Sequence, residues 1–301
     1  MERAYPRLIL GCGNFGGIGS APAFFGLGET REQAFELMDA AWDAGITWFD
    51  TADAYGGGRS ETYIGEWIRA RRREGLRLTT KTFNPMAEGA DRGLAPARVR
   101  RQIESSLERL GVGHVDLYLA HAWDAEVPIA EVAGVFEELV AAGRIGAYGL
   151  SNVDGSQLGE ALDAGAFAAV QNSYSLLDRE AESDVLPLCT ARGVWFQSFS
   201  PLAGGWLTGK YRRDATAPEG SRMAMRPGPY RHLRDDRVYD ALDELERRGD
   251  PAALALAWLL ADDRVSVVLG PRRPEHLQPA LAALERPLSA TEHDELSELF
   301  R

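Results

Sequence analysis

Ile46–Glu61 reads ITWFDTADAYGGGRSE. Ile46 to Phe49 is a short run of apolar, β-branched and aromatic residues, the composition of a buried strand. Asp50 and Tyr55 follow at its C-terminal end, and Gly56, Gly57 and Gly58 supply a turn with free backbone dihedrals. Ser60 reads as the N-cap of a helical pattern that runs through Trp67, with Glu61 in its first turn. The order is strand, loop, helix. A carboxylate and a phenol on such a loop fit two readings: chemical groups presented past a strand end, or an aspartate that only forms a turn.

The same alternation extends in both directions. Short β-like runs at Leu8 to Gly11, Leu76 to Thr80, Val115 to Leu119, Ile145 to Leu150, Ala168 to Gln171, Val194 to Ser198 and Ser266 to Leu269 join the one above, with helical patterns between them. Eight strands with a helix after each predict an α/β chain whose parallel sheet closes as a (β/α)8 TIM barrel in a single domain. That fold typically takes about 250 residues, so 301 residues leave room for a long loop after the seventh strand and a C-terminal helical extension.

Composition bounds the function. With 45% hydrophobic and 26% charged residues the chain is expected to be globular, and no apolar run approaches the roughly 20 residues a membrane span needs. The N-terminal MERAYPRLIL lacks the apolar region of a signal peptide, so a cytoplasmic location is expected. Cys12 and Cys189 make neither a metal-ligand spacing nor a disulfide framework. A net charge of −12 argues against nucleic acid and anionic membranes as partners. Of 33 basic residues only Lys81 and Lys210 are lysines, which singles them out.

Gly11-Cys12-Gly13-Asn14-Phe15-Gly16 spells the G-x-G-x-x-G of a dinucleotide-binding doubly wound sheet. That motif works only when a helix opens directly from the loop and points its N-terminus at the pyrophosphate. Here Gly17, Gly19, Pro22 and Gly26 intervene and the first helical pattern begins near Thr30, so the context is wrong.

Four segments in order carry a family resemblance: the opening stretch, LRLTTKTFNP around Lys81, VDLYLAHAWD around His121, and RIGAYGLSN ending at Asn152. Together they resemble the aldo-keto reductases over essentially the whole length. The resemblance implies NADPH-dependent reduction of a small aldehyde or ketone, with Asp50, Tyr55, Lys81 and His121 at the catalytic positions. Hydride delivery to a carbonyl leaves an alkoxide that needs a proton donor and a polar environment. Tyr55 would give the proton, Lys81 would lower its pKa, Asp50 would hold Lys81, and His121 would orient the carbonyl. His114 precedes the same strand as His121 and so belongs at the barrel bottom with a structural role.

The cofactor side follows from the resemblance as well. It places Gly11, Cys12 and Gly13 beside the nicotinamide ribose and Ser151, Asn152 and Gln171 at the carboxamide. Phe199-Ser200-Pro201-Leu202 would stack its aromatic on the nicotinamide ring, where many relatives carry tyrosine. Between Gly204 and Arg237 eight basic residues face four acidic ones, a local reversal of sign that suits a clamp over pyrophosphate, with Lys210 and Arg222 in that role. Gly270, Arg272 and Arg273 precede a helix and look like a 2′-phosphate site. His276, Pro279 and Ala280 stand where relatives usually have Gln, Glu and Asn. Phe24, Phe25, Trp123 and Trp206 suggest an aromatic-lined substrate mouth. The oligomeric state and the identity of the carbonyl are silent in the sequence. Two other functions share these features: a nucleotide-sensing subunit resembling potassium-channel β subunits, and a phosphate-binding barrel isomerase. A complete tetrad disfavours the first, and a tightly bound nicotinamide would exclude the second.

Overall fold

A computed structural model describes residues 5–301. Eight parallel strands close into a barrel in sequence order: β1 (Leu8–Gly11), β2 (Trp48–Asp50), β3 (Arg77–Thr82), β4 (Val115–Ala120), β5 (Ile145–Ser151), β6 (Ala169–Ser173), β7 (Trp195–Phe199) and β8 (Val265–Leu269). β8 pairs with β1 through Leu8↔Val267 and Leu10↔Leu269, which completes the ring. Helices α1 (Arg31–Asp43), α2 (Arg59–Arg71), α3 (Pro96–Leu110), α4 (Ile129–Ala141), α5 (Gly155–Ala164) and α6 (Val185–Arg192) follow the first six strands. Three helices, α7 (Arg222–Met225), α8 (Asp236–Arg248) and α9 (Pro251–Leu260), lie between β7 and β8, and α10 (Gln278–Glu285) and α11 (Ala290–Leu299) close the chain.

Strand periodicity decides what faces inward. Ile9, Leu117, Leu119, Ala169, Trp195 and Val268 form the apolar filling of the barrel, whereas Leu10, Phe49, Tyr118, Leu150, Val170 and Phe196 pack outward against the helices. Trp48 and Trp195 meet edge-on at 5.0 Å, and Tyr5 stacks on Trp195 at 4.3 Å, closing one end with aromatic bulk. The same alternation carries Asp50, Lys81, His121, Gln171 and Gln197 into the interior at the other end.

Local signals explain most of the helix starts. Thr30 caps α1 with a reciprocal bond to Gln33, and Asp154 and Gln157 do the same for α5. The expected cap at Ser60 is not one. The helix opens from Gly58, and Ser60 lies buried inside it, donating to the Cys12 carbonyl at 2.9 Å and meeting the Thr51 hydroxyl at 2.8 Å. Its hydroxyl ties β1 to the β2 loop, a tertiary demand that local capping preference could not reveal. The long loop after the seventh strand is present, carrying short helical turns at Ala203–Thr208, α7 and Gly228–Leu233. No helix among the described residues is long and apolar enough to cross a membrane.

Where α2 crosses α3, Gly65 lets the backbones touch: a Cβ built there would lie 2.2 Å from the Arg109 carbonyl oxygen. Gly65→Ala is therefore expected to destabilise the protein by about 1–3 kcal/mol through overpacking and to lower its melting temperature by several degrees. An unchanged melting curve would mean that α2 moves freely off α3.

Candidate active site

Asp50 ends β2, Lys81 is the penultimate residue of β3, His121 follows β4, and Tyr55 opens the turn before α2. Each side chain arrives at the C-terminal end of a neighbouring strand, the end where barrels of this type hold their chemistry. Lys81 is fully buried, and its three ammonium hydrogens have three acceptors. Nζ lies 2.5 Å from Asp50 Oδ1, 2.9 Å from the Thr51 carbonyl and 3.3 Å from the Tyr55 hydroxyl. The Tyr55 hydroxyl is also 3.5 Å from His121 Nε2. Gly13 lies against the Tyr55 ring, where a Cβ would sit 3.5 Å from it, at ordinary contact distance.

The electrostatics differ from the sequence expectation at one point. Burial is the largest influence on Tyr55 and raises its pKa above that of a free tyrosine; Lys81 opposes this without reversing it. The phenol is thus held protonated, and the ammonium beside it awaits the charge left when that proton departs. Burial also disfavours the Lys81 ammonium, but Asp50 and Tyr55 outweigh it and leave the pKa raised. His121 is depressed to about 3, first by burial and then by Lys81, so its ring is neutral. Asn84 Nδ2 meets His121 Nδ1 at 3.3 Å; an amide N–H can only donate, which leaves the ring proton on Nε2, facing Tyr55.

Several supporting residues escaped the sequence reading. Asn84 is one, and Arg98 anchors it by donating to its carbonyl at 2.8 Å and to the Thr82 hydroxyl at 2.8 Å. Thr82 in turn donates to Asp53 at 2.6 Å, and burial pushes the Asp53 carboxyl up to about 7. Glu61 is buried beneath the same strand ends, accepting from Thr80 at 2.5 Å and Arg109 at 2.7 Å. Gln197 on β7 is another, fully buried, with its Oε1 accepting from Gln171 at 2.7 Å. Gln171 gives its other N–H to Asp50 Oδ2 at 2.8 Å, so its amide orientation is fixed and Asp50 is held from both sides. Only Gln197 carried a local signal, a polar residue beside Trp195 and Phe196 on a strand; Asp53, Glu61, Asn84 and Arg98 lie on loops and helices where polarity is ordinary.

The predicted cofactor residues fall into two groups. Ser151 bonds the Gln171 carbonyl at 2.7 Å, and Asn152, in a left-handed conformation at φ 57°, reaches back to the His121 carbonyl at 2.9 Å. Phe199 is half-buried at the barrel mouth and leads into Ser200, Pro201 and Leu202. Gly11 cannot carry a side chain, because a Cβ would lie 2.7 Å from the Leu269 carbonyl. Cys12 is corrected: its thiol packs into the layer under the helices, its N–H goes to the Asp50 carbonyl and its carbonyl receives Ser60. No part of Cys12 is left for a ligand.

On the other side, Lys210, Arg222 and Arg272 form a cationic group. Lys210 and Arg222 are both held below their ordinary pKa ranges, mainly by burial, with Arg272 adding repulsion. Arg222 reaches Asn14 at 2.9 Å, and Arg273 extends into solvent. Among the described residues the Lys210 ammonium has neither a salt bridge nor a hydrogen bond and lies over the Tyr211 ring at 5.3 Å. Arg212 and Arg213 do not join it, being paired with Glu246 and with Asp236 and Asp240 on α8. Gly270 is exposed, and His276 Nδ1 takes the Arg272 amide at 3.2 Å.

The four aromatics expected at the mouth separate. Phe25 packs on Gly57, Phe24 lies under Arg226 at 5.5 Å, and Trp123 is half-buried. Trp206 is corrected: at 1% exposure it is sealed between Tyr211 and Tyr239, where it anchors the β7 loop to α8.

Residues 7–301 match the family model described as the aldo/keto reductase family. Among curated proteins, an uncharacterised oxidoreductase, YrpG, of Bacillus subtilis is 35% identical over 87% of this chain and 85% of its own length. An NADH-specific methylglyoxal reductase of Escherichia coli is 33% identical over 90% of this chain and 88% of its own. Among solved structures, the glycerol dehydrogenase AKR11B4 of Gluconobacter oxydans superposes with a TM-score of 0.84 at 26% identity, covering 99% of this chain and 92% of that one.

The two lysines separate by geometry. A guanidinium at position 81 is bulkier and pairs side-on with Asp50, turning its charge from the phenol. Lys81→Arg is expected to lose most of its hydride-transfer rate in single turnover while still binding NADPH. Lys210→Arg, which keeps the positive charge, should keep most of its turnover with a modest change in affinity. An unmutated rate in Lys81→Arg would reduce Lys81 to a generic charge.

Proposed function

Because this chain belongs to the aldo/keto reductase family, oxidoreductases acting on carbonyl compounds, we propose that it reduces a small aldehyde or ketone with NADPH, the reaction running in reverse on the alcohol. The observation that carries the proposal is the fully buried Lys81 ammonium held between Asp50 Oδ1 and the Tyr55 hydroxyl, with His121 Nε2 at the same hydroxyl.

A bound reduced nicotinamide supplies the hydride. Ser151, Asn152 and Gln171 would hold its carboxamide, and Phe199 would stack on its ring. Lys210 and Arg222 would meet the pyrophosphate, and Arg272 and Arg273 the adenosine end. His121, neutral and protonated at Nε2, donates to the carbonyl oxygen and sets its distance from Tyr55. As charge develops on that oxygen, the Tyr55 hydroxyl gives up its proton, and Lys81 stabilises the phenolate that remains. Asp50 keeps the ammonium charged and in place through Oδ1, while its Oδ2 is held by Gln171. Phe24, Phe25 and Trp123 would bound the substrate with apolar surface, which suits a small carbonyl.

The test is oxidation of NADPH followed at 340 nm against a panel of aldehydes and ketones. Turnover on any member supports the proposal; tight NADPH binding without turnover across a broad panel favours a nucleotide sensor. Tyr55→Phe, which keeps the ring and removes the proton, should lose roughly 10²-fold or more in turnover while still binding cofactor. His114→Asn, at the opposite end of the barrel, should leave the rate nearly unchanged. Equal losses at both would show that the site lies elsewhere.

The pH profile gives a separate check. Carbonyl reduction needs the Tyr55 proton, and that pKa is raised above 10, so the rate falls only as pH rises past the ordinary tyrosine range. His121, at about 3, contributes no change near neutrality. The single-turnover rate should be flat from about pH 5 to about pH 9. A limb centred near about pH 6.5 would mean that His121 titrates in the site.

A further inference from the structure

Within the cationic group at the adenosine end sits one buried carboxylate. Glu29, in the loop between β1 and α1, is 3% exposed. Its Oε1 accepts from Arg272 Nε at 2.6 Å, and its Oε2 is buried without a hydrogen-bond partner. Arg272 is further engaged through Nη1, which donates to the Gly220 carbonyl at 2.7 Å. The backbone fixes Glu29 in this place: its N–H goes to the Asn14 carbonyl at 2.8 Å and its carbonyl receives Gly16 at 2.9 Å. Asn14 is also the residue that holds Arg222.

The pairing has a consequence for anions. A phosphate arriving at Arg272 must displace or share a guanidinium already neutralised by a carboxylate, and it meets the negative charge of Glu29 at close range. A ribose hydroxyl makes neither demand, since it carries no charge. The second Glu29 oxygen is buried without a partner among the described residues, so the Arg272 guanidinium is the one side chain that bonds to the carboxylate and offsets it there. NADPH and NADH differ only by the 2′-phosphate, so this acid weighs on the first and not the second.

We propose that Glu29 sets the cofactor preference of this protein, holding Arg272 against a 2′-phosphate and thereby narrowing the advantage of NADPH over NADH. The proposal rests on the reading that Arg272 faces the adenosine ribose. It makes Glu29 a specificity-determining residue on a loop distant in sequence from the Arg272-Arg273 segment.

The experiment measures dissociation constants by quenching of tryptophan fluorescence, with NADPH, NADH, 2′,5′-ADP and ADP as ligands. Glu29→Gln keeps the shape and one acceptor for Arg272 while removing the charge. It should tighten NADPH and 2′,5′-ADP about tenfold and leave NADH and ADP within about twofold, at an unchanged melting temperature. Glu29→Ala, which removes the side chain altogether, should shift the ratio in the same direction. In an Arg272→Ala background, Glu29→Gln should have no effect on the ratio. An unchanged NADPH-to-NADH ratio in folded Glu29→Gln and Glu29→Ala, or equal weakening of all four ligands, would overturn the proposal and leave Glu29 as a loop fastener. If the unmutated protein binds none of the four, the cofactor reading itself fails and this inference with it.

Discussion

A lysine ammonium with no exposure to solvent is the constraint on which the mouth of this barrel is built. Leaving such a charge in a protein interior is costly unless every hydrogen finds an acceptor and a counter-charge lies close. Asp50, the Thr51 carbonyl and the Tyr55 hydroxyl meet that demand. Asp50 must then be held in its turn, which Gln171 does from β6 and Gln197 supports from β7. A chain of polar contacts therefore runs across the interior from β7 to Tyr55, and on to His121 and Asn84. Barrel closure is what makes it possible, because only a closed sheet brings β2 and β6 face to face.

A second polar layer lies outside the barrel wall. Asp53, Glu61, Thr80, Thr82, Arg98 and Arg109 interlock the ends of β2 and β3 with α2 and α3. Because β residues alternate, Lys81 points in while Thr80 and Thr82 point out, so one strand serves both layers. Partly satisfied buried networks are costly, and the free Oδ1 of Asp53 shows that this one is under tension between burial and bonding. Arg98 joins this layer to Asn84 by donating to both the Thr82 hydroxyl and the Asn84 carbonyl.

The two sides of the mouth use charge differently. Around Tyr55 a single ammonium is matched by a single carboxylate and shielded from water. Across the barrel, Lys210, Arg222 and Arg272 are gathered with one carboxylate among them, so the balance is positive and open to an anion. A chain with a net charge of −12 can present such a face only by concentrating its basic residues in the β7 loop.

The fold was legible because eight strand-like runs alternate with helical patterns, the count and order of a closed (β/α)8 sheet. The strand-end residues Asp50, Lys81, His121 and Gln171 were legible for the same reason, since period two and the strand ends fix which way they point. What the sequence could not decide were contacts between segments far apart. Ser60 reads locally as a cap and becomes a tie to Cys12; Trp206 reads as a mouth aromatic and is sealed against α8. Arg272 reads as a free phosphate ligand, yet it meets Glu29, 243 residues away. Local pattern specifies direction along an element, but the partner of a side chain depends on how elements close around it. Tertiary structure alone settles that, because burial and pairing energies belong to the assembled barrel and to no single segment.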